Sequence, residues 1–463
     1  MVFSSYTFLL LFLPALLAVY YLLPAARRSW RNGALLLFSL FFYACGGPAF
    51  LPLMLVSIAV NYLGGLLSAP GKPGRRPFLI LTLCANLGLL GWFKYAGFVS
   101  ENLAALGLPV SLPAITLPIG ISFFTFQGMS YVLDVYRGEA AAARNPLRVA
   151  LYIALFPQLI AGPIVRYTEV AEAIGNRRET LTDFSEGAIR FCFGLAKKLL
   201  LANLLGELAD EVFSGKAALS LGSAWLGTLA YTGQIYFDFS GYSDMAIGLG
   251  RMFGFRFLEN FNYPYISRTI TEFWRRWHMS LSSWFRDYLY IPLGGSRCAR
   301  PRQILNILIV WMLTGLWHGA AWNFVLWGLY FALLLLLERY VWGRALEKAP
   351  RALRHLYAML LVMLGWVLFR ADSLAGAGDM LAALFGGAPL WDERAGYLLR
   401  QYGWVLLLGT AACLPLRPAL EKRLAPTGAL RLWGVPLCAG ALLLLCFTRL
   451  AGAGFNPFIY FRF

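Results

Sequence analysis

The sequence contains little charge, few acidic residues and almost no histidine. Only 14% of the 463 residues are charged, with 23 acids against 40 lysines and arginines, and there are three histidines. The seven cysteines are scattered and no Cys-x-x-Cys pair occurs, which argues against a metal knuckle and a disulfide framework. Most cysteines lie within apolar segments, with Cys298 in a basic loop as the exception, and we interpret all seven as small buried apolar residues. A Gly-x-Ser-x-Gly elbow is also absent, so the sequence indicates no soluble hydrolase-like module.

Apolar residues, by contrast, are abundant. They make up 59% of the chain, and the mean hydropathy is +0.63. Successive apolar runs predict an all-α polytopic membrane protein. The runs are 7–23, 33–46, 49–67, 78–97, 147–162, 187–205, 221–238, 303–317, 320–338, 355–369, 402–416 and 432–450. Several are shorter than the ~20 residues of a typical span. We therefore expect about eleven spanning helices plus re-entrant and in-plane pieces, with 117–136 as one interrupted element.

The positions of the basic residues predict the orientation in the membrane. A net charge of +17 is compatible with nucleic-acid binding, but the lysines and arginines cluster in short loops between apolar runs, as in oriented membrane helices. The loop 251–302 carries nine arginines against three acids and is predicted to be cytoplasmic. The mixed loop 370–401 is then external. We expect residues 1–463 to form a single integral membrane domain with no nucleic-acid partner.

Loop 251–302 also contains an aromatic stripe at helical spacing. Its members are Phe273, Trp277, Trp284 and Tyr288. A neighbouring polar face carries Arg275, His278, Ser282 and Arg286. This pattern predicts one amphipathic helix in the plane of the membrane interface, with His278 facing a polar partner.

His318 lies between the apolar runs 303–317 and 320–338, where Gly315 and Gly319 would allow close backbone approach. An ionisable group at membrane depth is costly and usually functional, although a histidine that only packs between helices is the alternative. No further metal-binding side chains stand near it at ligand spacing, so no metal is predicted. A proton relay is possible for such a residue, and a lone imidazole also suits removal of a proton from an acceptor hydroxyl during acyl transfer.

A polar motif at 236–245 follows the apolar run 221–238. One interpretation is a helix stop, in which Asp238, Ser240 or Ser243 caps the next helix. The other is a polar cavity lining, in which Asp238 or Asp244 orients an imidazole or holds an arginine. In the segment 156–166, broken by Pro and Gly, a simple helix end is favoured over a binding role.

Together these motifs closely resemble the membrane-bound O-acyltransferase family. The resemblance rests on Trp-Arg-Arg-Trp-His at 274–278, Leu-Trp-His-Gly-Ala at 316–320 and the motif at 236–244. The segments 1–5, 117–123, 161–163 and 458–463 resemble its bacterial alginate O-acetylation (AlgI-like) branch. The similarity runs from end to end. One departure is Phe331, which stands where many relatives carry another histidine, so that position is not expected to be required.

The resemblance implies a bundle around a tunnel, in the bacterial cytoplasmic membrane. It implies transfer of an acetyl group from a cytoplasmic thioester, usually acetyl-CoA, to an extracytoplasmic polysaccharide such as alginate, with no bound cofactor. His318 matches the family's catalytic histidine and His278 the second motif histidine. Further candidates for binding substrate are Asp238, Ser240, Asp244, Arg275, Arg276, Trp277, Ser282 and Trp317. A separate extracytoplasmic acetyl carrier or transferase protein is expected to complete delivery.

Three alternatives stay open at this point. The acceptor could be a cell-wall polymer, teichoic acid or peptidoglycan. The chain could instead be a transporter or flippase, because an interrupted helix and intramembrane histidines also fit a carrier. No inverted repeat is apparent, however, and the predicted in-plane helix would have no role there. A non-catalytic scaffold for a polysaccharide synthase is the third alternative.

Overall fold

A computed structural model describes the protein except for residues 109, 111, 114, 161, 216–217, 417–427, 429, 453–457 and 460–463. Ala161 and positions 460–463 of the C-terminal motif belong to these excluded positions, so those parts of the resemblance lie outside the described residues. Across the described ranges every regular element is a helix, which confirms the predicted fold class. These helices belong to two compact units, Met1–Phe191 with Tyr242–Leu258 and Cys192–Gly241 with Glu259–Phe463.

The main helices, in chain order, are α1 Thr7–Leu22, α2 Arg28–Ala44, α3 Leu51–Ser68, α4 Arg75–Ala105, α5 Ile121–Arg137, α6 Pro146–Ala154, α7 Phe156–Leu159, α8 Tyr167–Asn176, α9 Leu181–Ala196, α10 Asn203–Phe213, α11 Leu221–Met252, α12 Ile270–Arg276, α13 Met279–Phe285, α14 Arg300–His318, α15 Trp322–Lys348, α16 Arg351–Arg370, α17 Leu374–Leu384, α18 Glu393–Ala412 and α19 Val435–Gly452.

Among the described residues, five helices are long and apolar enough to cross a membrane. They are Pro48–Ser68, Arg75–Ala105, Trp322–Lys348, Arg351–Arg370 and Leu432–Gly452. Each of them overlaps one of the apolar runs named above. The total of about eleven spanning helices stays a prediction.

In the first unit, 117–136 was predicted to be one interrupted element, and this is wrong for residues 121–136, which form a continuous helix. Gly120, at φ +75°, ends an irregular segment, and α5 then runs without a break through Gly128. A Cβ added to Gly128 would lie 2.4 Å from the side-chain nitrogen of Asn61. Gly128 therefore serves close packing of α5 against α3 rather than a helix break. The segment 156–166 begins with the short helix α7, which ends at Leu159, in agreement with the helix end that was favoured there.

The motif at 236–245 is not a helix stop, because α11 continues through it to Met252. The predicted capping role of Asp238, Ser240 or Ser243 is therefore wrong. All three residues are buried inside one long helix. Burial in tertiary structure overrides the local preference of Ser and Asp for helix ends.

In the second unit, α14 and α15 form a tightly packed hairpin. A Cβ on Gly315 would lie 2.2 Å from the carbonyl oxygen of Phe324, and a Cβ on Gly328 would lie 2.2 Å from that of Trp311. The close backbone approach expected at Gly315 is thus present, whereas at Gly319 the added Cβ would meet the side-chain ring of Phe324 and no backbone approach is seen among the described residues. This contact fixes the end of α14, where His318 lies.

The predicted single helix through 273–288 is wrong, because the chain breaks between α12 and α13. His278 adopts a left-handed conformation, φ +44°, and precedes the first residue of α13. The polar face expected of a continuous helix is therefore lost. The four members of the aromatic stripe are buried within the protein, so they form part of its core.

Candidate active site

His318, the last residue of α14, lies in a pocket of aromatic rings and is only 6% exposed. Its ring centroid is 4.9 Å from that of Trp317, 5.1 Å from that of Trp327 and 5.2 Å from that of Phe369. These rings come from α14, α15 and α16. An imidazole in such surroundings is shielded from bulk water, which limits side reactions with water at a bound substrate.

His278 belongs to the same aromatic cluster. Its ring lies 4.6 Å from Phe239 on α11 and 5.9 Å from Trp317. Trp317 therefore contacts both imidazoles. Although 40 positions separate them in the sequence, the fold brings the two histidines next to one indole. A non-glycine residue with positive φ is strained, and such strain concentrates at functional sites.

Asn260 fixes the tautomer of His278. The Oδ1 atom of Asn260 accepts hydrogen bonds from the backbone N–H of Ser280 at 3.2 Å and from its hydroxyl at 2.9 Å. An atom that accepts from a backbone N–H must be the amide oxygen. The Nδ1 atom of His278 lies 3.2 Å from the same oxygen, so Nδ1 carries the hydrogen and Nε2 carries the lone pair.

Burial lowers the pKa of His278 to about 3. The residue lies in the connection between α11 and α14, and at this pKa it is neutral at physiological pH. A base this weak removes a proton from a hydroxyl poorly. The environment of His278 therefore favours positioning over proton transfer.

The variant Asn260→Asp is expected to give acyl transfer a new acid limb. A carboxylate accepting the Nδ1 hydrogen favours the imidazolium and raises the pKa of His278 above about 3. Activity should then fall as the pH decreases through the raised pKa, a decline that His278 does not cause in the wild type. The measurement is a pH–rate profile of both proteins. An unchanged profile in a well-folded variant would contradict the assigned hydrogen bond.

Asp238 lies close to this cluster along α11 but is engaged by other groups. Its Oδ1 atom is 2.5 Å from Nζ of Lys198, and its Oδ2 accepts the backbone N–H of Ile459 at 2.6 Å. The carboxylate thus holds a lysine and the C-terminal segment, rather than the arginine or imidazole that was suggested. Ser240 is also buried, and its hydroxyl has no hydrogen-bond partner within the described part of the chain.

The remaining candidates are not all brought to the histidines. Trp277 is buried and packs 4.9 Å from Trp366. Arg275 and Ser282 are exposed, and Arg276 pairs with Glu272 on its own helix. Asp244 belongs to the first unit.

Asp244 does hold an arginine, as one interpretation of the motif proposed. Its Oδ1 accepts from Nε and Nη2 of Arg190 at 3.0 and 2.8 Å. No group of three or more His, Cys, Asp or Glu side chains among the described residues could hold a metal ion.

The model of the membrane-bound O-acyltransferase family matches residues 81–376, which are more than half of the chain. The chain belongs to this family. It is therefore an O-acyltransferase that uses an acyl donor, and a multi-pass membrane protein. This removes the transporter and scaffold alternatives. His318 and His278 lie within the matched range.

Several similar proteins extend the comparison. The probable alginate O-acetylase AlgI of Azotobacter vinelandii is 43% identical, with 100% of each chain covered. The peptidoglycan O-acetyltransferase of Helicobacter pylori is 36% identical over 83% of this chain and 80% of its own. The teichoic acid D-alanyltransferase of Bacillus subtilis is 31% identical over 52% of this chain and 67% of its own. The chain thus resembles the AlgI-like branch along its whole length.

Glu338 is a positioning residue near the site that the sequence analysis did not identify. Its carboxylate accepts hydrogen bonds from the backbone N–H groups of Ile270 and Thr271 at 2.6 and 2.9 Å and from the Thr271 hydroxyl at 2.6 Å. It also accepts from the Tyr357 hydroxyl at 3.2 Å. Glu338 thereby fixes the start of α12, which leads into Trp277 and His278. A buried acid ending an apolar run was a visible signal for it.

Asn260 and Lys198 were also missed. Lys198 stands inside the apolar run 187–205, where a cation is costly enough to indicate a partner. Asn260 gave no such signal, because a polar residue in a polar loop is ordinary. Phe331, the departure from many relatives, is fully buried and lies 4.9 Å from Trp274, so it forms part of the aromatic wall.

Proposed function

We propose that this enzyme takes an acetyl group from acetyl-CoA on the cytoplasmic side and supplies it for O-acetylation of an extracytoplasmic polysaccharide such as alginate. The observation that carries the proposal is the position of His318, which is buried among three rings and linked to His278 through Trp317. The full-length similarity to a probable alginate O-acetylase supports the choice of acetyl group and polymer.

In the proposed reaction, His318 acts as the general base. It removes the proton of the attacking hydroxyl of the acetyl acceptor, while the oxygen of that hydroxyl bonds to the thioester carbonyl carbon. The C–S bond then breaks, and the departing thiolate takes the proton back from the imidazolium. His278 serves as a positioning group, held in one tautomer by Asn260.

The loop 251–302 is proposed to face the cytoplasm and to attract the donor. Several of its arginines are exposed and have no carboxylate partner among the described residues: Arg268, Arg275, Arg297, Arg300 and Arg302. A basic surface raises the local concentration of an anionic donor such as a coenzyme A thioester. The same positive residues also favour retention of the loop on the cytoplasmic side.

An extracytoplasmic partner is proposed because the loop predicted to face that side, 370–401, is short. The predicted external loop 370–401 contains only α17 and the start of α18. An independent catalytic domain typically needs ~50 residues or more. A separate acetyl carrier or transferase is therefore needed to reach the mature polymer in the periplasm or cell wall, beyond the cytoplasmic membrane.

Peptidoglycan is the second candidate acceptor. The specific observation in its favour is the similarity to a peptidoglycan O-acetyltransferase over 83% of this chain. The similarity to a teichoic acid D-alanyltransferase covers 52% and supports that acceptor less.

Reconstitution tests the proposal. The purified protein in liposomes, supplied with radiolabelled acetyl-CoA on its cytoplasmic face and mannuronate polymer on the other, is expected to leave the polymer unesterified. Adding the extracytoplasmic partner should start polymer acetylation, and replacing the polymer with muropeptides tests the second acceptor. Efficient acetylation with no other protein would overturn the need for a partner. Polymer acetylation that another acetyl thioester supports and acetyl-CoA does not would overturn the proposed donor.

A further inference from the structure

Trp327 stands beside His318 and carries an indole N–H that has no hydrogen-bond acceptor in the described part of the chain. The residue is on α15 and only 1% exposed, and its ring meets that of His318 at 5.1 Å and an angle of 83°. Its indole nitrogen Nε1 is buried and has no hydrogen-bond partner among the described residues. A buried donor without an acceptor costs stability, so its retention next to the proposed base needs an explanation.

Among the residues that the structure describes, none supplies an acceptor for the Trp327 N–H. Its ring neighbours include Trp274 at 5.6 Å, Phe331 at 5.4 Å and Phe369 at 5.1 Å. None of these side chains carries an oxygen. The indole N–H is a donor only and cannot act as a base, so the chemistry open to it beside His318 is hydrogen bonding to an acceptor on a bound substrate.

The position of the indole is set by the backbone. Gly328 follows Trp327 directly, and its Cα lies in the reciprocal contact with Gly315, three residues before His318. The two side chains are therefore carried by helix segments that touch backbone to backbone. Such a pair can be preorganised, which is what stabilisation of developing charge requires.

We propose that the N–H of Trp327 donates a hydrogen bond to the thioester carbonyl oxygen and stabilises the oxyanion. This deepens the proposed function and rests on it. The acceptor hydroxyl oxygen bonds to the carbonyl carbon, its proton passes to His318, and the C=O electron pair moves onto the carbonyl oxygen. Trp327 stabilises that negative charge. When the carbonyl re-forms, the C–S bond breaks and the proton goes from His318 to the sulfur, leaving ester and thiol.

The kinetic test removes the N–H while keeping the ring. Trp327→Phe, and a variant carrying 3-benzothienylalanine at 327, in which sulfur replaces the N–H, should lower kcat by about 10²–10³-fold. The KM for acetyl-CoA should change little, because the bond strengthens as charge develops. Trp311→Phe is the matched control, since Trp311 lies in the same cluster, 6.4 Å from Trp327, and it should retain near-wild-type kcat. Near-wild-type kcat in the benzothienyl variant would overturn the proposal and leave an N–H over an aromatic face as the explanation.

A second measurement reads the hydrogen bond without turnover. In isotope-edited infrared spectra of bound acetyl-CoA labelled with ¹³C at the carbonyl, the wild type and Trp311→Phe should show a C=O band shifted to lower frequency than in solution. The benzothienyl variant should show the solution frequency. A bound band that is equally shifted in that variant would overturn the role of Trp327 alone. The absence of any bound band in the wild type would overturn the proposed donor as well, so the two failures are distinguishable.

Discussion

Replacing His318 with alanine is expected to lower acyl transfer by about 10²–10⁴-fold, the usual contribution of a general base, and so to abolish measurable polymer acetylation. The protein should still insert and be recovered at a normal level. The reason for the loss of activity is geometric: His318 is the imidazole at the end of the α14–α15 hairpin, buried against three rings. The measurement is the ester content of polymer made by cells that carry the variant as their only copy.

The variant His318→Phe separates the effect of losing the base from the effect of losing the ring's packing. A phenyl ring fills the aromatic pocket but cannot take a proton, so it should preserve the thermal stability that alanine reduces and yet be equally inactive. His355→Ala is the histidine control, because the Nδ1 atom of His355 lies 3.1 Å from the backbone oxygen of Ser267, away from the aromatic pocket of His318, and it should retain most activity. Near-normal acetylation by His318→Phe would leave His318 with a packing role only.

The parts of the site that could be predicted from the sequence are those whose signal is local. His318 stands out because a histidine between two apolar runs is costly wherever the chain folds, and Gly315 marked a close helix contact that the structure contains. The combined motifs around His278, His318 and Asp238 identified the family. Each of these inferences needs only a few neighbouring residues.

The parts that could not be predicted depend on residues distant in the chain. Asp238 is held by Lys198 and Ile459, so its side chain is satisfied inside a helix and does not stop it. The helix break at His278 follows from Asn260, since its amide holds both His278 and Ser280. Helical spacing of aromatic residues carries no information about such a local left-handed turn.

Gly315→Ala is expected to lower both the yield of folded protein and the acyltransferase activity. The added Cβ would lie 2.2 Å from the carbonyl oxygen of Phe324, a backbone atom that no rotamer change can move. The helices must separate, and overpacking of this kind costs about 1–3 kcal/mol or more. In a membrane, helix association depends on close contact at small residues. The thermal midpoint in detergent and the acetylation of polymer measure the two effects.

The loss of activity should exceed what the loss of folded protein explains. Gly315 lies three residues before His318, and a shift of about 1 Å at a reacting group can cost about 10²-fold in rate. Gly440→Ala is the matched control, because Gly440 is also helical but has no atom within 4 Å of its added Cβ. There alanine should be neutral or slightly stabilising. If Gly315→Ala matched this control in stability and rate, the backbone contact between α14 and α15 would not be what positions His318.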